Sequence, residues 1–175
     1  MVEKMKALIV AIDEDGGIGK DGGIGKDGDI PWHYKKDMQY FSKTTRGATC
    51  IMGRKTYLDI FNSIGNKERL LPKRESIVIT SLPQEEVHGA IAVKSFEEAL
   101  SAVSEGSDVF FIGGEAIYNN CLEFIDKMYI TEIPCSHDCD VKVPSVIEYM
   151  EEYFELIYTT PDDETGISFD VYDRT

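Results

Sequence analysis

The chain has 175 residues, enough to bury the core of one domain, and we expect a single domain over residues 1–175. Its 32 acidic and 18 basic residues give a net charge of −14. That charge argues against nucleic acid and anionic membranes as partners, because both are bound by basic surfaces. Apolar runs are too short to span a membrane, and the N-terminal one ends at Asp13-Glu14-Asp15, so we expect a cytoplasmic protein.

Hydrophobic patterning predicts strands and helices that alternate along the chain. The predicted strands cover residues 7–12, 49–52, 76–80, 90–93, 109–112 and 127–132. The predicted helices cover residues 34–44, a segment from about residue 55, residues 96–103 with Ser95 as N-cap, and residues 115–124. Residues 153–159 and 167–172 are predicted to form a hairpin. This order favours an α/β fold with a central, mostly parallel sheet, helices on both faces and a C-terminal antiparallel hairpin.

The connection between the first strand and the first helix is rich in glycine. The hexapeptide Gly-Ile-Gly-Lys-Asp-Gly occupies residues 17–22 and again residues 23–28. So many glycines disfavour a stable helix or strand, and a long loop after a core strand is typical of an active-site lid. The alternative is a connector, or a duplication, without a functional role.

The four cysteines are Cys50, Cys121, Cys135 and Cys139. Cys50 falls in a predicted core strand and Cys121 on a predicted helix, so reduced thiols are the simplest interpretation. Residues 135–139 (Cys-Ser-His-Asp-Cys) could suggest zinc, but they lack a second pair of ligands, and no metal site is predicted.

An acidic residue interrupts the apolar stripe predicted for the first helix. Tyr34, Met38 and Phe41 form that stripe, and Asp37 lies within it. A carboxylate that faces a core is costly unless it is paired or protonated. Asp37 therefore either pairs with a buried structural partner or awaits a ligand rich in N–H groups.

Two predicted strand-to-helix turns carry glycine and could bind phosphate. At Gly53-Arg54-Lys55, two cations begin a helix where the helix dipole favours an anion, so a bound phosphate would balance the charge. At Gly113-Gly114, a buried strand ends and the backbone could approach a pyrophosphate closely. The alternative for the first turn is a pair of solvated surface cations.

Arg74 follows Leu71 and Pro72 just before a predicted strand. A lone arginine beside apolar residues is commonly a surface residue. Its guanidinium could equally grip a carboxylate with two parallel hydrogen bonds.

These motifs, in this order and at this spacing, resemble those of dihydrofolate reductase over nearly the whole chain. The motifs that carry the resemblance are Ile30-Pro31-Trp32 followed by Asp37 and Phe41, Ile51 to Thr56, Leu71-Pro72 with Arg74, Ile112-Gly113-Gly114 with Tyr118, and Tyr129-Ile130-Thr131. The resemblance implies NADPH-dependent reduction of dihydrofolate, in tetrahydrofolate biosynthesis and one-carbon metabolism, by a monomer.

The resemblance also implies roles for individual residues. Asp37, supported by Thr131, would bind the pterin ring, and Trp32 would lie at the base of the lid. The implied substrate-binding residues are Ile9, Val10, Ala11, Asp37, Phe41, Leu71, Arg74, Ile112 and Thr131. The implied cofactor-binding residues are Ala11, Ile18, Gly19, Ile24, Gly25, Gly53, Arg54, Lys55, Thr56, Thr80, Ser81, Lys94, Ile112, Gly113, Gly114, Glu115, Ala116, Ile117 and Tyr118. Glu115 would point away from the phosphates, and Asp140 would stabilise the lid from a neighbouring loop.

Two departures from the family pattern concern the loops. The family carries one copy of the hexapeptide-like segment, and either Ile18-Gly19 or Ile24-Gly25 could contact the cofactor. Residues 62–69 also resemble an insertion. A reductase of the riboflavin pathway, which shares this fold class, and a non-catalytic folate- or nucleotide-binding homologue are the alternatives. Asp37 on its helix and Arg74 argue against the former, whose substrate has no glutamate tail.

Overall fold

The computed structural model describes residues 4–19, 35–64, 68–134, 139 and 141–175. The strands of these residues are β1 Lys6–Ile12, β2 Gly17–Gly19, β3 Thr49–Gly53, β4 Glu75–Ile79, β5 Ile91–Val93, β6 Val109–Gly113, β7 Lys127–Glu132, β8 Val141–Lys142, β9 Phe154–Pro161 and β10 Ser168–Arg174. The helices are α1 Lys35–Thr45, α2 Arg54–Ile64, α3 Phe96–Ala102, α4 Glu115–Cys121 and α5 Pro144–Tyr153, with a 3₁₀ turn at Gln84–Glu86. None of these helices is both long and apolar enough to cross a membrane.

Eight strands form one sheet in the order β5-β4-β3-β6-β1-β7-β10-β9. The six strands from β5 to β7 run parallel to one another, whereas β10 runs antiparallel to both of its neighbours, β7 and β9. The antiparallel pair is the predicted C-terminal hairpin. The predicted fold class is therefore confirmed.

Side chains of β1 alternate between two cores, one on each face of the sheet. Leu8 and Val10 lie in the core formed with α3, α4 and α5, which we call the α3–α5 core. Ala7 and Ile9 lie in the core formed with α1 and α2, which we call the α1–α2 core. A strand buried on both faces reads as a continuous apolar run, which explains why β1 could be recognised from sequence.

Several boundaries agree with the sequence analysis to within a few residues. Ser95 caps α3, since its Oγ accepts a hydrogen bond from the Glu98 N–H at 3.1 Å. The helix predicted over residues 115–124 ends at Cys121.

Two features of the fold were not predicted. One is α5, whose N-cap residue, Val143, offers no side-chain hydrogen bond. The other is the small sheet in which β2 pairs with β8. Two- and three-residue strands have too few side chains to show a period of two.

Candidate active site

The first turn of α1 lies over the carboxyl end of β7. There the Asp37 side chain is hydrogen-bonded to Thr131, a residue that is only 2% exposed. In the sheet register Thr131 pairs with Ala11 of β1 and with Phe169 of β10. Asp37 is therefore positioned by a helix and anchored to the central strands.

The environment of Asp37 disfavours its charged form. The side chain is half-buried, and this burial raises the pKa of the carboxyl group, while the hydrogen bond from Thr131 opposes part of that rise. Among the described residues, no lysine or arginine forms an ion pair with Asp37. A partly desolvated carboxylate without a cation suits a ligand that brings its own N–H donors.

The apolar stripe predicted for α1 is wrong in one respect. Met38 is 62% exposed and does not face the core, whereas Tyr40 and Phe41 pack against the α1–α2 core. Tyr40 also stacks on Phe169, with 4.3 Å between ring centroids. Positions 37, 40 and 41 are three and four residues apart, so Asp37 does lie on the buried face of the helix. Tyr34 falls outside the described residues.

The predicted pocket-lining residues are divided between the two faces of the sheet. Ile9, Leu71 and Ile112 are buried in the α1–α2 core, on the face that α1 covers. Val10 is buried in the α3–α5 core instead. Only the backbone of Val10 could therefore contact a ligand on the Asp37 side.

Arg74 is buried beside α1 and is held in a fixed orientation. Its Nε donates to the Pro72 carbonyl at 3.0 Å, and its Nη1 donates to Thr45 Oγ1 at 3.1 Å. The guanidinium lies over the Phe41 ring, 5.7 Å from its centroid, and burial lowers its pKa. No carboxylate of the described chain pairs with it. Its remaining N–H groups can receive an external carboxylate.

The turn from β3 into α2 offers donors to an anion. Arg54 and Lys55 are exposed at the start of α2, and the first turn of that helix contains no acidic residue. Thr56 is buried, and its Oγ1 has no hydrogen-bond partner in the described part of the protein. A buried hydroxyl without a partner is costly, so it fits a site completed by a ligand.

The turn from β6 into α4 adjoins the turn from β3 into α2. A Cβ added to Gly53 would lie 3.9 Å from the Gly113 carbonyl oxygen and 4.0 Å from the Gly114 nitrogen. Gly113 has a φ of 123°, which side-chain-bearing residues rarely adopt, and the Gly113–Gly114 peptide is cis. The two predicted glycine turns are thus brought together at one edge of the sheet.

The remaining residues of the β6–α4 turn face different ways. Glu115 and Ala116 are exposed, while Ile117 and Tyr118 are buried in the α3–α5 core. The Tyr118 hydroxyl lies 2.9 Å from the Ile9 carbonyl and 2.8 Å from the Ile112 carbonyl, and burial raises its pKa. Tyr118 therefore ties α4 to β1 and β6.

Thr80, Ser81 and Lys94 also lie together, after the ends of β4 and β5. Lys94 Nζ donates to the Ser81 and Leu82 carbonyls at 3.0 and 2.9 Å. Thr80 Oγ1 accepts from the Leu82 N–H at 3.0 Å, which leaves its O–H proton available as a donor.

The first hexapeptide copy begins as β2. Ile18 is 3% exposed within the α3–α5 core, and Gly17 and Gly19 pair with β8. Ile24, Gly25, Trp32 and Asp140 lie outside the described residues. The question of which copy contacts the cofactor therefore stays open.

The sequence model of the dihydrofolate reductase family matches residues 5–174 of this chain. The chain is 40% identical over 153 residues to a dihydrofolate reductase of Bacillus subtilis (strain 168), covering 87% of this chain and 82% of that one. It is 33% identical over 173 residues to dihydrofolate reductase HdrB of Haloferax volcanii, covering 95% and 82%.

A solved structure is also similar over nearly the whole chain. It is dihydrofolate reductase from Enterococcus faecalis complexed with NADP(H) and RAB-propyl, with a TM-score of 0.78 and 30% identity. The similarity covers 98% of this chain and 96% of that one.

The chain belongs to the dihydrofolate reductase family.

Two residues that anchor this dihydrofolate reductase site were missed by the sequence analysis. The buried Asp13 accepts from the Gly17 and Asp15 N–H groups at 2.8 and 2.9 Å, and so fixes the start of the glycine-rich loop. Lys36 pairs with Asp162 at 2.7 Å and joins α1 to the β9–β10 turn. An aspartate whose carboxylate accepts from the N–H group two residues later is a known turn signal, whereas nothing local could reveal a pair 126 residues apart.

Proposed function

We infer that this chain catalyses the NADPH-dependent reduction of 7,8-dihydrofolate to 5,6,7,8-tetrahydrofolate. The observation that carries the inference is the half-buried Asp37 in a chain of this family. Asp37 is hydrogen-bonded to Thr131 and has no cationic partner among the described residues. Its carboxylate suits a heterocycle that presents adjacent N–H groups.

Asp37 orients the pterin and supports the protonation of its N5. The carboxylate accepts hydrogen bonds from the exocyclic amino group and a ring nitrogen, and Thr131 fixes its orientation. Negative charge beside the ring raises the basicity of N5, and solvent supplies the proton. NADPH, when bound, supplies the hydride that is added to pterin C6. Trp32 would complete the site at the base of the loop.

The rest of the substrate would extend along α1. Apolar contacts come from the strands through Ile9, Ala11 and Ile112, from α1 through Phe41, and from the turn before β4 through Leu71. Arg74, whose guanidinium is already oriented by Pro72 and Thr45, would bind the α-carboxylate of the glutamate tail.

The two glycine turns would hold NADPH. Thr56 Oγ1, without a partner among the described residues, and the exposed Arg54 and Lys55 fit phosphate oxygens. A second set of donors, after the carboxyl ends of β4 and β5, consists of Thr80, Ser81 and Lys94. The adjoining Gly53 and Gly113 turns admit a ligand's pyrophosphate close to the backbone.

We also propose that the enzyme acts as a cytoplasmic monomer. The reduced thiols of Cys50 and Cys121 suit a reducing compartment. Size-exclusion chromatography with light scattering tests the monomeric state, because a dimer would show twice the molecular mass.

A substrate comparison tests the proposed activity. The purified enzyme should oxidise NADPH in the presence of dihydrofolate and should not do so with the pyrimidine substrate of the riboflavin pathway. Turnover of the pyrimidine alone would favour the riboflavin-pathway alternative. Binding of both dihydrofolate and NADPH without turnover would favour a non-catalytic homologue.

A further inference from the structure

The strand β9 lies at one edge of the eight-stranded sheet and pairs there with β10. Among the described residues, no strand pairs with its other side. All of its residues after Phe154 are exposed to solvent. The outer backbone N–H and C=O groups of an edge strand can form hydrogen bonds with an added strand. β9 is therefore open to a further strand on this side.

Apolar side chains are concentrated along this edge. Leu156, Ile157 and Tyr158 are 51, 45 and 56% exposed, and Tyr153, at the end of α5, is 42% exposed. These four are the majority of the seven large hydrophobic residues that are exposed in the described part of the chain. Single exposed apolar residues are normal on a folded protein, whereas a contiguous group marks an interaction surface.

The usual protection of an edge strand is incomplete in β9. Lysine, proline and bulges commonly prevent edge strands from pairing with other chains. β9 contains no lysine, and its one proline, Pro161, is its last residue. A bulge falls at Ile157, which lies between Leu156 and Tyr158 and has no partner in β10. A bulge pins the register of a sheet, so it favours one docked position over a sliding strand.

The surroundings of this edge are strongly acidic. Residues 143–173, which include α5, β9 and most of β10, contain nine acidic residues and no lysine or arginine. Glu151, Glu152 and Glu155 are exposed beside the apolar side chains and form no ion pair with the described lysines and arginines. Two copies of this edge would bring like charges together, which disfavours a dimer through β9. The same charges favour a basic partner.

The basic residues of the protein are concentrated on a different surface. A cavity of about 570 Å³ lies between α1 and the turn that carries Arg74. Five cations line it, namely Lys35, Lys43, Arg46, Lys73 and Arg74. A basic segment is repelled from this cavity and attracted to the acidic edge, so charge directs it to β9.

We propose that β9 is a docking edge for an extended segment of a partner protein in which lysine or arginine alternates with apolar residues. The segment adds a ninth strand to the sheet through backbone hydrogen bonds with the outer side of β9. Its apolar side chains cover Leu156, Ile157 and Tyr158, and its cations lie against Glu155 and the carboxylates at the end of α5. The docking edge contains none of the residues assigned to substrate or cofactor.

The test titrates the isotope-labelled full chain with a synthetic peptide of alternating valine and lysine, followed by NMR. We expect a Kd below about 1 mM, with amide shift changes centred on residues 154–161. A peptide of alternating valine and glutamate should bind at least about tenfold more weakly. Raising the salt concentration should weaken binding of the lysine peptide.

Two matched variants place the binding on β9. Ile157→Lys adds a like charge to the docking edge and should raise the Kd of the lysine peptide by about tenfold or more. Ile91→Lys makes the same change on β5, at the opposite edge of the sheet, where Ile91 is 43% exposed. This control should leave the Kd unchanged. If Ile157→Lys fails to fold, Glu151→Lys/Glu152→Lys should weaken binding in its place.

Four results would overturn the proposal. The first is no binding of the lysine peptide, and the second is equal binding of the glutamate peptide. The third is equal weakening by Ile157→Lys and Ile91→Lys, or by neither. The fourth is a dimer of the free protein that Ile157→Lys abolishes, because a second copy would then be the occupant of the edge.

Discussion

Asp37 is held half-buried against Thr131 at the point where α1 meets the sheet. Its position on the buried face of α1 could be predicted from sequence, because the aspartate stands among apolar residues at helical spacing. Which of its neighbours share that face could not be predicted from the pattern. The neighbours of Asp37 in α1 include three large apolar residues, Met38, Tyr40 and Phe41. Periodicity alone therefore could not show that Met38 is the exposed one.

The raised pKa of Asp37 has a consequence for stability. Because burial raises its pKa, the folded protein holds the proton more tightly than the unfolded chain does. The group therefore favours folding below the unfolded pKa of about 3.9, and this contribution is lost as pH rises through the folded pKa. We expect Asp37→Asn to raise the free energy of unfolding at pH 7 and to lose that advantage below about pH 4.

Urea unfolding of the wild-type enzyme and Asp37→Asn at several pH values measures this effect. Asp15→Asn, at an exposed carboxylate, is the matched control. A variant that is less stable than the wild-type enzyme at pH 7 would show that the charged carboxylate is satisfied by the folded protein itself.

Arg74→Lys should separate substrate binding from cofactor binding. Lysine keeps the charge but loses the two parallel N–H groups of the guanidinium. We expect KM for dihydrofolate to rise about ten- to hundredfold, the scale of one charge-assisted hydrogen bond of roughly 1.5–3 kcal/mol, with the Kd of NADPH unchanged. Steady-state kinetics measure the KM for dihydrofolate, and titration with NADPH measures its Kd. Equal weakening of both ligands would mean that Arg74 acts through the fold.

At the scale of elements, the strands with unbroken apolar runs were predicted well, and α5 was not. Val143 provides no side-chain cap for α5, and Pro144 in its first turn was the only start signal. The position of the two glycine turns was predicted, because each follows a buried strand. Their direct contact across the sheet edge depends on β3 and β6 being neighbours, which a sequence pattern does not specify.

The turn into α2 should distinguish NADPH from NADH. Arg54 and Lys55, together with the hydroxyl groups of Thr80 and Ser81, offer more cation and hydroxyl donors than a pyrophosphate alone requires. We expect Arg54→Ala to lower kcat/KM for NADPH about ten- to hundredfold and to change that for NADH little. Parallel assays with the two cofactors measure this. An equal loss for both would assign Arg54 to the shared pyrophosphate.

The duplicated hexapeptide gives a second prediction at this scale. Deletion of residues 23–28 removes one of two identical copies and no residue type, so the enzyme should fold with a change of about 1 kcal/mol or less. If the loop acts as a lid, cofactor Kd should fall and kcat should change. Stopped-flow binding and steady-state kinetics measure both. A deletion that abolishes folding, or leaves Kd, kcat and KM all unchanged, would exclude the lid.

At the scale of the whole molecule, positive charge is distributed unevenly. The chain is strongly acidic, yet the described residues gather five cations around one cavity along α1 and two more at the start of α2. Because the net charge is −14, an anionic ligand needs local basic clusters to overcome the repulsive global field. The cavity itself was not foreseen, because it joins α1 to a turn nearly thirty residues later.

The most direct test of the account is the rate of dihydrofolate reduction by the wild-type enzyme and by Asp37→Asn at neutral pH. We predict that the wild-type enzyme consumes NADPH only when dihydrofolate is present. We predict that Asp37→Asn binds both ligands but loses about 10²-fold or more in kcat, the scale of a general acid–base contribution. Near-wild-type kcat in Asp37→Asn would contradict the role of this carboxylate, and the absence of any wild-type turnover would contradict the proposed function.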